Sequence, residues 1–168
     1  MAPGRVRLSG QMSIISLQPM PTDKSIPRNR DAYPVITPVT MRYSDQDPMQ
    51  HINNVAITAY LETGRTGLFH AIFDGKLPTR GMVLARLTVD YLNEIRFGRS
   101  VDVAGRLSRI GGRSLTTDYA IFVGDTCCVI SRSVNVFFDP ENRISVQPAD
   151  DMLALMERFM ASQPVIQD

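Results

Sequence analysis

The chain has 168 residues, 43% of them hydrophobic and 21% charged, and its 18 basic and 17 acidic side chains give a formal net charge of +1. That composition suits one soluble globular domain with a tail, long enough to bury a sizeable core. Near-neutral charge argues against a nucleic-acid coat or a membrane-surface protein, so an anionic ligand would have to be met by local basic residues.

Cys127 and Cys128 are adjacent. Their Cα atoms lie about 3.8 Å apart, short of the usual disulfide span. With two His in the chain, they have neither zinc-ligand nor redox-motif spacing, and they read as small apolar strand residues. No metal or cofactor is implied. No apolar run reaches the length of a membrane helix, and residues 1–21 lack a signal-peptide core, so a cytoplasmic location is expected.

Residues 1–34 hold Pro3, Pro19, Pro21, Pro27 and Pro34 with little periodicity, and read as an irregular extension ahead of one domain, 35–168. Val35–Tyr43 alternates β-formers around Pro38, which predicts an edge strand. A polar turn, SDQDPMQHINN, follows. From Val55 to Phe73, Ile57, Tyr60, Leu61, Leu68, Ala71 and Ile72 recur at helical spacing, with Asn53 or Asn54 as N-cap and Gly75 as stop. This helix is apolar around most of its circumference and should be buried. Gly64 and Gly67 are unfavourable in its interior unless a neighbour packs closely there.

Four strands follow. One alternates Val83, Ala85, Leu87, Val89 and Tyr91, and the next alternates Val101, Val103 and Leu107. The third places Leu115, Tyr119, Ile121 and Val123 on one face, and the fourth Ile130, Val134, Val136 and Phe138. Gly98, Gly111-Gly112 and Gly124-Asp125 mark the turns, whose shortness implies antiparallel neighbours. A last helix begins after Pro148, with Met152, Leu155, Met156 and Phe159 as its apolar stripe. The fold class is therefore α+β: an antiparallel sheet of about five strands wrapped around a long helix, plus a short C-terminal helix. One helix cannot hide both faces of such a sheet, so the remaining surface is expected to meet a second copy, in a homodimer or homotetramer.

The chemistry concentrates in Arg42–Glu62, RYSDQDPMQHINNVAITAYLE. Asp45 and Asp47 stand just before a helix N-terminus, with His51, Asn53 and Asn54 beside them. A helix N-terminus presents unsatisfied N–H groups and partial positive charge, as an oxyanion hole must. A loop carboxylate next to it would attack a carbonyl or activate water. The same residue types also serve as plain turn and capping groups.

SDQDPMQHINN followed by AITAYLETGRTGLF resembles the 4-hydroxybenzoyl-CoA thioesterase-like branch of hotdog proteins. HINNV is also similar to a motif of plant acyl-carrier-protein thioesterases. VDYLNEIRFGRSVDVAGRLSRIGGRSLTTDYAIF and VNVFFDPENRISVQP resemble the later strands, so the similarity spans about 35–150. The resemblance implies an acyl thioester hydrolase of the hotdog fold, with acyl-CoA or an acyl carrier protein thioester as substrate. It places the catalytic carboxylate at Asp47, oxyanion donors among the backbone N–H groups near Asn53, Asn54 and Val55, and a further site residue at His51. The plant-type motif has Asn where this chain has Met49, so that constellation is incomplete. A second hotdog branch uses a helix glutamate; here that would be Glu62, which could instead pair with Arg65. The basic turn Arg109–Ser114 resembles a segment bordering the nucleotide, which makes Arg109, Arg113 and Ser114 the candidate CoA-phosphate contacts. A non-catalytic thioester-binding protein is the alternative, and a hotdog hydratase or dehydratase ranks below it.

Overall fold

The computed structural model describes residues 22–75, 81–98 and 101–166. Asn53 opens the long helix α1 (Asn54–Ile72), its side-chain oxygen accepting the Ala56 N–H at 2.8 Å. The strands are β1 (Val35–Val39), β2 (Met82–Tyr91), β3 (Val101–Ile110), β4 (Ser114–Val123), β5 (Thr126–Asp139) and a two-residue β6 (Ile144–Ser145), and α2 spans Asp150–Ser162. All pairs are antiparallel, in the order β1-β3-β4-β5-β2, with β6 paired to the end of β5. The Gly111-Gly112 and Gly124-Asp125 turns join neighbours as expected, but the Gly98 segment does not: β2 pairs with β5, and the chain crosses from that edge to reach β3. No helix among the described residues is long and apolar enough to cross a membrane.

Small residues set how closely α1 approaches the sheet. A Cβ on Gly64 would collide with the Val103 side chain, and one on Gly67 with Thr37. On the strand side, a Cβ on Gly105 would come within 3.3 Å of Leu68 and 3.2 Å of the Tyr119 ring. Leu61, Leu68 and Ile72 thereby reach the sheet and are buried with Val103, Leu107, Leu115, Tyr119 and Ile121. Because Gly64 lies on Val103 and Leu68 on Gly105, α1 runs in the same direction as β3. Its N-terminus stands where β3 begins, and its C-terminus points toward the β3–β4 turn.

β5 departs from its sequence pattern. Its expected apolar face lies on the outer side of the sheet, whereas the helix side carries Ser131, Ser133 and Asn135, all buried. These groups satisfy one another or the backbone. The Ser133 and Thr117 hydroxyls are 2.8 Å apart, Asn135 Nδ2 donates to Ser133 Oγ, and Ser131 Oγ donates to the Thr88 carbonyl at 2.7 Å. The nearby Tyr119 hydroxyl is buried with no partner among the described residues, and burial pushes its pKa up to about 12.

Residues 22–34 are irregular apart from a 3-10 turn at Arg30–Ala32, yet they cover the outer face. Ile26, Ala32 and Tyr33 form a second core with Ala104, Ala120, Phe122 and Ile130. Arg132 bonds both Asp118 and Asp23, and Arg106 donates to the Ala32 carbonyl at 2.8 Å. The extension expected over 1–34 therefore packs on the domain over this stretch, while residues 1–21 lie outside the described residues. The outer face also holds Cys127, whose thiol burial pushes up to about 11.

Both edges have distinct treatments. β1 carries Pro38 and pairs only with Val101–Gly105. Beyond it, the Gln163 side chain bonds the N–H and carbonyl of Leu107 at 2.8 and 2.9 Å, as a strand would. β2, ten residues long with a bulge at Ala85, has no strand on its outer edge among the described residues and exposes Val83, Leu84 and Tyr91. Gly64→Val should lower the unfolding free energy by about 1–3 kcal/mol through overpacking against Val103. An unchanged denaturation midpoint would contradict this helix–sheet contact.

Candidate active site

The segment Asp45–Asn53 is a closed loop. The Asp45 carbonyl accepts the backbone N–H of Asn53 at 2.9 Å and its Nδ2 at 2.7 Å. Inside it, Gln46 and Ile52 form a bridge, and the Asp47 N–H donates to the His51 carbonyl at 2.8 Å. Gln50 turns the chain at φ 64°, in the left-handed region. Ile52 N–H then donates to the Ile95 carbonyl at 2.7 Å, tying the loop to the segment after β2.

This closure puts Asp47 in the same cleft as Asn54, the first residue of α1. Oδ1 of Asp47 accepts the N–H groups of Met49 and His51 at 2.8 and 3.0 Å, and its other oxygen has no partner among the described residues. Asp47, His51, Asn54, Ile57, Tyr91 and Glu94 line a cleft of about 380 Å³ with neighbouring backbone. At the helix start, Asn53 takes the N–H of Ala56 on its side chain and that of Ile57 on its carbonyl. The N–H groups of Asn54 and Val55 have no intrahelical acceptor. The Asn53 N–H is engaged by Asp45, so the N–H groups left without a backbone acceptor at the helix start are those of Asn54, which lines the cleft, and Val55.

Glu94 is the residue that sequence reasoning missed. His51 Nε2 lies 2.8 Å from Glu94 Oε2, and Arg96 Nε donates to the other carboxylate oxygen at 2.7 Å. The Arg96 hydrogen bond and charge, with a smaller contribution from His51, lower the Glu94 pKa. Neither alternation nor spacing marks Glu94 in LNEIRFG. The antiparallel bridge His51–Arg96 and the Ile52–Ile95 hydrogen bond bring it to the cleft.

Other expected site residues stand elsewhere. Met49, at the plant-type Asn position, is 71% exposed and does not line the cleft. The Glu62 side chain is 69% exposed and pairs with Arg65. Arg109, Arg113 and Ser114 lie at the β3–β4 turn, where Arg113 contacts Ser145 at 3.4 Å. That turn is beyond the C-terminal end of α1, whose 19 residues span about 28 Å. Within one chain, the structure separates the basic turn from Asp47. Among the described residues no His, Cys, Asp and Glu cluster could hold a metal.

Asp45 is held below the usual carboxylate range, chiefly by the Tyr60 hydroxyl and then by the Arg42 N–H. Its contribution to stability is complete above the unfolded-state value of 3.8 and is lost as pH falls through the lower folded-state value. Asp45→Asn should therefore weaken the acid-induced loss of stability below about pH 4, read by chemical denaturation at stepped pH. Unchanged pH dependence would contradict the bond.

The sequence model of the thioesterase-like superfamily matches residues 41–162, so it spans the loop, both helices and every strand except β1. No curated protein matches the chain. Among solved structures, a predicted thioesterase from Bacillus stearothermophilus is 32% identical, with 77% of this chain and 98% of that one covered at a TM-score of 0.69. A Thermus thermophilus thioesterase complexed with coenzyme A and Zn is 25% identical, with 80% and 99% covered at 0.71. A hypothetical Staphylococcus aureus protein in complex with CoA shares the fold at 12% identity, with 79% and 87% covered and a TM-score of 0.72. The chain belongs to the thioesterase-like superfamily of hotdog proteins, and thioester hydrolysis is its class of reaction.

Proposed function

We propose that the chain hydrolyses acyl-CoA at the cleft between the Asp45–Asn53 loop and the tip of α1. The observation that carries this reading is that Asp47, with one carboxylate oxygen unpartnered among the described residues, lines the same cleft as Asn54 at the start of α1. That oxygen attacks the thioester carbonyl, or takes a proton from the water that does. Negative charge then develops on the carbonyl oxygen, where the N–H groups of Asn54 and Val55 and the helix dipole stabilise it. As the tetrahedral intermediate collapses, the C–S bond breaks and the CoA sulfur leaves as a thiol, taking the proton that Asp47 removed from the attacking water; where Asp47 itself attacks, the thiolate takes a proton from water and a water molecule then hydrolyses the acyl–Asp47 anhydride, releasing the carboxylic acid and restoring the carboxylate. His51, with Nε2 turned to Glu94, presents Nδ1 for proton transfer within the same cleft.

The CoA assignment draws on the two relatives bound to CoA and on the basic turn. For that turn to reach the cleft, a second copy is needed. β2 is an open, apolar edge about 33 Å long, a template for pairing with another strand. A two-fold antiparallel β2–β2 pair reverses the two sheets. The Arg109–Ser114 end of one copy then lies beside the Asp47 cleft of the other. The proposed unit is a homodimer, with the phosphates met by the partner's turn and a cytoplasmic location.

A panel of acyl-CoA and acyl carrier protein thioesters tests the reading. Asp47→Asn should lower kcat roughly a hundred- to ten-thousandfold on the preferred acyl-CoA. Activity that survives Asp47→Asn would remove Asp47 from the mechanism, and a chain inactive on every thioester would favour a binding role. Light scattering on the active protein should report a dimer, and an active monomer would contradict the shared site.

A further inference from the structure

Behind the cleft, one hydrogen bond links the catalytic loop to the body of the helix. Tyr60, 5% exposed on the buried face of α1, donates its hydroxyl to Asp45 Oδ2 at 2.7 Å. The same oxygen accepts the Arg42 N–H at 2.8 Å. Asp45 thus faces both ways: its carboxylate holds Tyr60 and the chain before the loop, and its carbonyl holds Asn53 at the helix start. Asp47 is two residues away.

We infer that Tyr60 and Asp45 are positioning residues for the thioester reaction: their hydrogen bond fixes the Asp45–Asn53 loop so that the Asp47 carboxylate and the N–H groups of Asn54 and Val55 address one acyl carbon. The inference rests on the reading of Asp47 given above. Neither side chain lines the cleft, so neither acts on substrate directly. The bridge between Gln46 and Ile52 keeps the loop closed without Tyr60. What Tyr60 adds is a link from the carboxylate of Asp45 to the helix interior, where Leu61 and Leu68 are immobilised in the core. Without it the closed loop is free to swing as a unit against the helix tip. Stability depends weakly on such a swing, because the apolar contacts of α1 remain. Turnover depends on it strongly, since a displacement of about 1 Å between reacting groups costs on the order of a hundredfold in rate.

The test compares Tyr60→Phe, Asp45→Ala and Asp45→Asn with wild type, in steady-state kinetics and in amide hydrogen exchange. Tyr60→Phe and Asp45→Ala should each lower kcat roughly 10- to 100-fold while KM stays within about threefold. Asp45→Asn should retain most of kcat, because its amide oxygen still accepts from Tyr60 and Arg42. Exchange should accelerate at Asn53, whose N–H closes the loop, with core amides of β3 and β4 unchanged. A Tyr60→Phe kcat within twofold of wild type would overturn the inference, as would a loss that vanishes when the assay is run well below the unfolding midpoint. Should wild type hydrolyse no thioester, the functional reading fails and the positioning role falls with it, while the exchange data report separately whether Tyr60 holds the loop. In an active protein, faster exchange at Asn53 in Tyr60→Phe would support the inference, and unchanged exchange would overturn it.

Discussion

The Asp45 carbonyl oxygen accepts two donors from a single residue, the backbone and side-chain N–H groups of Asn53. Asn53 in turn caps α1 through its side-chain oxygen. One short relay therefore fixes where the helix starts, which of its N–H groups stay free, and where the intervening loop carries Asp47. Moving the cap by one residue would engage a different pair of N–H groups and turn Asp47 relative to them. Most of the remaining fold serves to hold that helix still. Gly64 and Gly67 let it lie against β3 and β1, and the resulting core immobilises it along its length.

The sheet has two chemically different ends. Asp47, His51 and Glu94 share the end where α1 begins. The basic turn and the apolar cavity of about 420 Å³ beside α2 share the other. An acyl-CoA molecule needs a reacting carboxylate and a phosphate-binding surface together, and one chain keeps them apart along a helix of about 28 Å. The open edge of β2 gives a physical route to joining them. The outer face offers no comparable surface, because residues 22–34 already cover its apolar centre.

Much of this was legible in the sequence. The helix, the succession of strands along the chain, the edge position of β1 and the short C-terminal helix follow from periodicity and turn residues, and the hotdog fold followed from the resemblance of the loop motif; the place of β2 did not, because it pairs with β5 and not with β3. The two unfavourable glycines correctly signalled close packing. Other features were hidden for physical reasons. Ser131, Ser133 and Asn135 read as a solvent face, yet they are buried because their hydrogen bonds are met by Thr117, by Thr88 and by each other. Glu94 has no local signature, and its partner lies 43 positions earlier in the chain. The separation of Arg113 from Asp47 depends on helix direction, which spacing alone does not encode. Residues 22–34 look irregular in composition because they bind as a strap, using Ile26, Tyr33 and the Asp23–Arg132 ion pair, rather than as a periodic element.

The central claim is that the thioester oxygen sits on the tip of α1 with Asp47 facing the acyl carbon. The most direct measurement is a crystal structure with a non-hydrolysable acyl-CoA analogue. The carbonyl oxygen, or its mimic, should lie about 2.7–3.1 Å from the N–H of Asn54 or Val55, with the free oxygen of Asp47 on the open face of the acyl carbon. An analogue bound with its carbonyl group away from the helix tip, and with Asp47 making only its turn hydrogen bonds, would contradict the account.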